Sequence, residues 1–195
     1  LNIGQHYFYL KHARRGKGEA SCSDDCCGRV VEGRLFIFFI SWGGTTVVYA
    51  VKRICTQCFI TFILDVTFDG VDEMTPDFNS IKGGGGCLLQ EKIVGYNAKS
   101  FVVIADESKR ASYLGEKWKR GLPIEVVPMA STTVKNEIER RFGGVAKLRM
   151  AVSKMGPVVT DNGNFLLDWQ FDADPSINWR QMDIDLHLIP GTEIC

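Results

Sequence analysis

Residues 101–109, FVVIADESK, begin with an apolar run and end in acidic and basic side chains. An uninterrupted apolar run of this length predicts a strand buried on both faces, which is typical of parallel sheets. The earlier run FITFILDVTF, residues 59–68, has the same character and leads directly into the acidic DGVDE of residues 69–73. Polar residues that follow buried strands predict an α/β sheet whose carboxyl edge binds a ligand.

The segments around these two strands favour a Rossmann-like parallel-sheet domain over residues 31–124. Residues 35–40 are predicted to form a further strand, which leads through a Gly-Gly-Thr-Thr turn at residues 43–46 into a short helix. Residues 88–96 are predicted to form a helix whose inner side carries Leu88, Leu89, Ile93 and Val94. Residues 1–30 show neither the helical nor the strand period, so we predict an irregular, unassigned N-terminal segment there.

The pattern changes near Glu125, and residues 125–195 predict a smaller α+β domain. A short strand precedes a helix that Gly143-Gly144 ends, with Ser131 or Thr132 as its N-cap. The helix repeats apolar residues at every fourth position: Val134, Ile138 and Phe142.

The segments after this helix complete the pattern of the smaller domain. They are a strand in AKLRMAV, two strands around the turn at 161–163, and a helix over 177–188. The order β-α-β-β-α predicts a ferredoxin-like fold that lacks its last strand. We therefore expect this smaller domain to be truncated.

Charge and cysteine content exclude several classes of protein. Lys plus Arg and Asp plus Glu both number 23, so the net charge predicts no nucleic-acid partner and no anionic membrane surface. Seven cysteines and no signal peptide favour a reducing compartment, and we expect a cytoplasmic protein. An alternative is a zinc or redox site formed by Cys55 and Cys58 together with Cys22 and Cys26 or Cys27. We favour incidental thiols at these positions and expect no metal.

One stretch raises the alternative of a membrane anchor. Residues 35–51 carry no charge between Arg34 and Lys52, and their length is at the short limit for a spanning helix. The Gly-Gly-Thr-Thr sequence interrupts the stretch, and β-branched and aromatic residues dominate its first half. A buried strand followed by a glycine turn is therefore the favoured interpretation.

Polar residues of several segments converge at the predicted carboxyl edge of the sheet. The glycine run IKGGGGCLLQEK, residues 81–92, offers bare backbone, and Gly44-Thr45-Thr46 at a helix start would cradle a phosphate. A partly desolvated carboxylate on a helix suits general-base chemistry. The side chains that we expect in this crevice are Asp69, Asp72, Lys82, Glu91 and Lys109.

The longest motifs resemble those of the type A ribose-5-phosphate isomerase family. They are DGVDEMTPDFNSIKGGGGCLLQEKIV, VVIADESK, LPIEVVPMA and GPVVTDNGNFLLD, and GGTTVVYAVKRI is a weaker match. The resemblance covers about residues 64–191. The family has further elements at the N-terminus, between Ile54 and Leu64, and after Gly191 that this sequence lacks. The resemblance therefore implies a truncated or irregular chain in which both domains are incomplete. It implies interconversion of ribose 5-phosphate and ribulose 5-phosphate through an enediolate, without metal or cofactor.

The resemblance also implies a role for each matching residue. Glu91 would be the general base, and Asp69 and Asp72 the acidic pair that binds sugar hydroxyls and assists ring opening. Lys82 would contact the substrate and stabilise the oxyanion together with the glycine N–H groups, and Lys109 would bind the phosphate. The remaining substrate-binding positions are Gly43, Gly44, Thr45, Thr46, Gly70, Val71, Gly83, Gly84 and Gly85.

The family also implies a homodimer. Its expected ligand is a small phosphosugar substrate, and neither a nucleic acid nor a membrane is expected as a partner. Two alternatives stay open beside the isomerase. One is a catalytically impaired isoform that still binds the phosphosugar. The other is a membrane-anchored protein attached through residues 35–51.

Overall fold

The computed structural model describes residues 4–10, 29–31, 34–38 and 64–193. The chain divides into two compact units. The first unit takes residues from Leu1–Val71 and Gln90–Lys109, and the second from Asp72–Leu89 and Arg110–Cys195. Residues 72–89 and 110–124, which the sequence prediction groups with the larger domain, thus belong to the second unit.

The described strands and helices have the following bounds. The strands are β1 (Gly4–Leu10), β2 (Arg29–Val31), β3 (Arg34–Phe38), β4 (Leu64–Gly70), β5 (Glu73–Met74), β6 (Ser80–Ile81), β7 (Ala98–Asp106), β8 (Leu122–Val126), β9 (Val145–Leu148), β10 (Phe165–Gln170) and β11 (Thr192–Glu193). The helices are α1 (Leu88–Tyr96), α2 (Ser131–Phe142) and α3 (Trp179–His187), and 3₁₀ turns occupy Glu107–Lys109 and Pro128–Ala130.

The first unit is built on a five-stranded sheet in the order β1-β7-β4-β3-β2. Strands β1, β7, β4 and β3 run parallel to one another, and the edge strand β2 is antiparallel to β3. Strand β7 lies in the interior of this sheet, which explains its unbroken apolar run at residues 101–105. Because the carboxyl ends of parallel strands share one edge, Gly70 and Asp106 end their strands on the same side of the sheet.

Two predictions for the first unit need correction. Residues 1–30 were predicted to be irregular, but Gly4–Leu10 and Arg29–Val31 are strands. The aromatic residues of HYFYL favour a strand, yet the run is too short for a clear period. Helix α1 has the predicted bounds, but Ile93, expected on its inner side, is 42% exposed, whereas Leu88 and Val94 are buried.

The second unit contains a four-stranded antiparallel sheet in the order β11-β8-β10-β9. Along the chain its elements follow as β8, α2, β9, β10, α3 and β11. The predicted absence of a last strand is therefore wrong, because Thr192–Glu193 pair antiparallel with β8 at Val126 and Glu125. A two-residue strand carries no period of its own, so only its partner reveals it.

The core of the second unit lies between one face of this sheet and the two helices. Strand residues at alternate positions point to opposite faces, so Ile124 and Val126 share the core face with Leu167 and Trp169. Val134 and Ile138 of α2 are fully buried in this core, as the fourfold spacing predicts. The indole of Trp169 also donates a hydrogen bond of 2.9 Å from Nε1 to the carbonyl of Gly143.

Helix α2 confirms one predicted boundary and corrects the other. Gly143 follows the helix with φ = 73°, and its N–H donates to the carbonyl of Glu139, so the glycine pair does end the helix. At the start, however, the N-cap position is Ala130, which offers no side-chain hydrogen bond. Ser131 already lies within the helix, because the preceding 3₁₀ turn shifts its start by one residue.

The expected pair of strands around residues 161–163 is present only in part. The turn forms, with the Gly163 N–H donating to the carbonyl of Thr160 and Gly163 at φ = 80°. Strand β10 follows it, but the preceding arm makes only isolated bridges at Pro157 and Val159.

The predicted sheet position of residues 35–40 holds for β3, which ends at Phe38. The remainder of the apolar stretch, the glycine turn at 43–46 and Cys22, Cys26, Cys27, Cys55 and Cys58 lie outside the described residues. Among the residues that are described, no helix is both long and apolar enough to cross a membrane.

The packing of α2 predicts a measurable difference between two isoleucines. Ile138 is fully buried, whereas Ile184 on α3 is 47% exposed. Ile138→Ala should lower the free energy of unfolding by about 2–5 kcal/mol, because a buried cavity remains. Ile184→Ala should cost less than about 1 kcal/mol, since no enclosed cavity forms there. Urea denaturation of both variants measures this, and equal losses would contradict the assigned core.

Candidate active site

The carboxyl edge of the parallel sheet carries the first group of predicted site residues. Asp69 is 5% exposed near the end of β4, and its Oδ1 accepts a hydrogen bond of 2.7 Å from the N–H of Gly70. Gly70 pairs with Ile104 of β7, so the adjacent β7 ends two residues further on, at Asp106. Lys109, which is half-buried, lies in the 3₁₀ turn that follows β7.

This edge also contains an anion that the sequence prediction did not single out. Asp106 is exposed, and its Oδ1 accepts the N–H of Ser108 at 2.8 Å. Hydrogen bonds from the Ser108 side chain and backbone, with a smaller contribution from the positive charge of Lys109, lower the pKa of Asp106. A carboxylate thus lies beside the lysine that was predicted to bind phosphate.

Glu91 belongs to the first unit and lies near the start of α1. Its side chain is half-buried. Negative charge is favoured near the start of a helix, where unpaired N–H groups and the helix dipole are positive. The position of Glu91 near the helix start is therefore compatible with the general-base role that the sequence predicts.

The glycine run and Asp72 lie together in the second unit. The N–H of Gly84 donates to Oδ2 of Asp72 at 2.7 Å, and the N–H of Asp72 donates to the carbonyl of Ile81 at 2.8 Å. The Gly86 N–H closes a turn on the carbonyl of Gly83 at 2.9 Å. Lys82, half-buried, directly precedes this turn. We call residues 82–86 the glycine loop.

The glycines of this loop differ in how strictly they are required. A Cβ on Gly84 would lie 2.6 Å from Oδ2 of Asp72 and 2.7 Å from Cζ2 of Trp118. Gly83 has φ = 79°, and a Cβ there would lie 2.6 Å from the Cβ of Leu88. At Gly85, by contrast, a Cβ would meet nothing within 4 Å. The first two positions therefore exclude any side chain, and the third does not.

Four residues near the loop were missed by the sequence prediction. Glu73 is fully buried and accepts the N–H groups of Lys117 at 2.6 Å and Trp118 at 3.0 Å, as well as that of Gly115. This carboxylate folds the segment that brings Trp118 against Gly84. Arg149 and Asp168 form an ion pair, and Arg149 also contacts the loop. The sequence signal that could have indicated this ion pair is Asp168, a charged residue within the largely apolar strand β10.

Of the remaining predicted substrate-binding positions, some lie within the described residues and some do not. Val71 is buried at the end of the first unit, while Gly43, Gly44, Thr45 and Thr46 lie outside the described residues. Within residues 4–10, 29–31, 34–38 and 64–193, no group of three or more His, Cys, Asp or Glu residues could hold a metal ion.

These features define a class of protein before any relative is considered. In the first unit, the parallel sheet carries two aspartates, one of them buried, and a lysine at its carboxyl edge. In the second unit, the bare glycine loop is hydrogen-bonded to a third aspartate. Such groups suit a small polar ligand, since backbone N–H groups and lysines bind anions and carboxylates accept from hydroxyls. The class is an α/β protein with one parallel and one antiparallel sheet.

Comparison with known proteins identifies the family. The model of the family Ribose 5-phosphate isomerase A (phosphoriboisomerase A) matches residues 55–192. The chain belongs to this family. It is 57% identical over 129 residues to a ribose-5-phosphate isomerase of Dictyostelium discoideum, a match that covers 66% of this chain and 55% of the relative.

Solved structures show the same mixed α/β architecture, with a parallel and an antiparallel sheet. Ribose 5-phosphate isomerase A from Methanocaldococcus jannaschii aligns with a TM-score of 0.65 and 38% identity, over 75% of this chain and 65% of that one. A D-ribose-5-phosphate isomerase in complex with phospho-erythronic acid aligns with the same score and identity, over 78% of this chain and 65% of that one. The chain spans about half the length of the Dictyostelium relative.

The difference between Gly84 and Gly85 is directly testable. Gly84→Ala should lower the free energy of unfolding by about 1–3 kcal/mol, because the added methyl group has to displace Asp72 or Trp118. Gly85→Ala is the matched control, and its effect should stay within about 1 kcal/mol because the space is open. Thermal denaturation by circular dichroism compares the two, and a tolerated Gly84→Ala would show that the loop is not held as described.

Proposed function

We propose that the protein interconverts D-ribose 5-phosphate and D-ribulose 5-phosphate. Family membership carries the proposal, and the glycine loop held against Asp72 is the structural feature that supports it most directly. The reaction belongs to the non-oxidative branch of the pentose phosphate pathway. We assign it to a homodimer, as the family resemblance implies, and to the cytoplasm, which the cysteine content favours.

The proposed reaction needs one group that moves a proton. Glu91 removes the proton from C2 of the open-chain aldose, and negative charge develops on O1 as the enediolate forms. The proton then returns to C1, and the hydroxyl proton of O2 passes to O1, which leaves the carbonyl at C2. No atoms are gained or lost, so base and polar groups suffice and no cofactor is assigned.

The other proposed residues act on binding and charge. Asp69 and Asp72 accept hydrogen bonds from sugar hydroxyls and assist ring opening. Lys82 and the N–H groups of Gly83 and Gly85 stabilise the enediolate oxygen, since donors aimed at a developing charge contribute strongly in a water-poor site. The N–H of Gly84 is used within the protein, because it donates to Asp72.

Phosphate binding is assigned to two segments. Lys109 offers a positive charge just beyond the carboxyl end of β7. Residues 43–46, for which the sequence predicts a glycine turn, complete the proposed substrate-binding set together with Gly70 and Val71. In the solved relative, the bound ligand is phospho-erythronic acid, a phosphorylated sugar acid.

The two units also suggest finer fold assignments. We assign the first unit to the Rossmann-like class, on the parallel order of β1, β7, β4 and β3. We assign the second unit to the ferredoxin-like class, because its β-α-β-β-α-β order is the pattern of that fold.

The proposed base is tested by Glu91→Gln. The purified protein should convert ribose 5-phosphate to ribulose 5-phosphate, and the amide variant should be slower by roughly 10²–10⁴-fold because it cannot accept the proton. Glu137→Gln on α2 makes the same chemical change away from the proposed residues and should retain full turnover. A coupled assay for ribulose 5-phosphate measures all three proteins.

The possible outcomes separate the candidate functions. Equal turnover by wild type and Glu91→Gln removes Glu91 from its role. A protein that binds phospho-erythronic acid by calorimetry, yet shows no turnover, is instead a phosphosugar-binding isoform.

A further inference from the structure

We propose that Arg149 is a positioning residue, which holds the glycine loop and thereby the Asp72 carboxylate in their working geometry. The inference rests on the proposed isomerase function for its catalytic consequence. The part of the proposal that concerns the hold on the loop rests only on contacts within the second unit.

Arg149 uses its guanidinium in two directions. Nε donates to Oδ2 of Asp168 at 2.9 Å, and Nη2 contacts the other carboxylate oxygen, so the pair is bidentate. The remaining nitrogen, Nη1, donates to the carbonyl of Gly84 at 2.9 Å. The Arg149 side chain is 9% exposed and that of Asp168 is 16% exposed. The charges are therefore largely removed from water.

Gly84 is held by hydrogen bonds on both sides of its Cα. Its N–H belongs to one peptide plane and donates to Asp72, while its carbonyl belongs to the next plane and accepts from Arg149. Because both planes are restrained, rotation about φ or ψ of Gly84 would break one of the two bonds. Trp118 fills the space beside the Cα. Arg149 thus acts on Asp72 through a single glycine.

The support for Arg149 is rigid. Its own N–H donates to the carbonyl of Leu166 at 2.8 Å, and its carbonyl accepts the N–H of Val158 at 2.8 Å. Asp168 lies within β10, in the middle of the antiparallel sheet. A functional group is positioned more precisely when its support belongs to a packed sheet than when it belongs to a loop.

A purely stabilising role explains these contacts less well. Burying an ion pair costs desolvation, and apolar residues of similar size are often as stable, so the pair alone gives little reason for charge here. The hydrogen bond from Nη1 to the carbonyl of Gly84 does give a reason for an arginine, since only the planar guanidinium can bind a carboxylate bidentately and still reach a carbonyl. A lysine would keep the charge but could not maintain this geometry.

The experiment compares Arg149→Met and Arg149→Lys with Arg140→Met. Arg140 lies on α2 and pairs with Glu137 at 2.8 Å, but it is 68% exposed, so its loss controls for removing an arginine from an ion pair. Two quantities are measured: hydrogen–deuterium exchange of the Gly84 amide by NMR, and kcat and KM for ribose 5-phosphate. Denaturant unfolding gives the folded fraction to which both are normalised.

We expect both Arg149 variants to exchange the Gly84 amide roughly tenfold faster than wild type, because the restraint on the loop is lost. We expect kcat/KM to fall roughly 10–100-fold, mainly through kcat, since a displaced group costs rate when geometry is critical. Arg149→Lys should recover stability relative to Arg149→Met without recovering Gly84 protection. Arg140→Met should match wild type in both measurements.

Three results overturn the proposal. The first is wild-type exchange of Gly84 in Arg149→Met at equal folded fraction. The second is full recovery of Gly84 protection by Arg149→Lys, which would show that charge alone suffices. The third is faster exchange with unchanged kcat/KM, which would separate the loop from catalysis. If the wild-type protein has no turnover, the proposed function fails, and the exchange experiment still decides whether Arg149 holds the loop.

Discussion

The lack of space at Gly84 is the constraint on which the functional part of the second unit depends. A side chain there would collide with the carboxylate of Asp72 and the ring of Trp118. Because the residue is bare, its N–H can approach Asp72 to 2.7 Å while its carbonyl meets Arg149. A glycine ordered in this way loses much backbone freedom on folding, and that loss has to be offset by the contacts around it.

Buried carboxylates organise the segments around that glycine. Glu73 accepts several backbone N–H groups of residues 115–118, and one oxygen of Glu125 accepts from the side chains of Thr160, Asn162 and Asn164. Residues 115–118 lack regular secondary structure, so their N–H groups need other partners, which Glu73 supplies. A carboxylate can satisfy several donors at once. Glu73 and Glu125 therefore each hold a loop, whereas Asp72, which precedes Glu73 in the chain, accepts a hydrogen bond from the glycine loop.

The sequence predicted the elements whose signal is local. Strand β7 follows from the apolar run FVVIA, α1 from its flanking glycines and leucines, and α2 from Val134 and Ile138 one turn apart. The site residues could be proposed because they lie next to predicted strands or the glycine run: Asp69, Asp72, Lys82, Glu91 and Lys109. Arg149 and Glu73 could not, since their partners lie 65 and 42 or more residues away along the chain.

The sequence alone determined which residues are polar beside buried strands, where the glycines stand, and which family the motifs resemble. Those properties depend on residue type and spacing, which the chain carries locally. Only the tertiary structure decided that Thr192–Glu193 complete the antiparallel sheet, that Gly84 but not Gly85 excludes a side chain, and that Arg149 reaches the loop. Each of these depends on atoms from distant segments meeting within a few ångströms, a distance that no local pattern encodes.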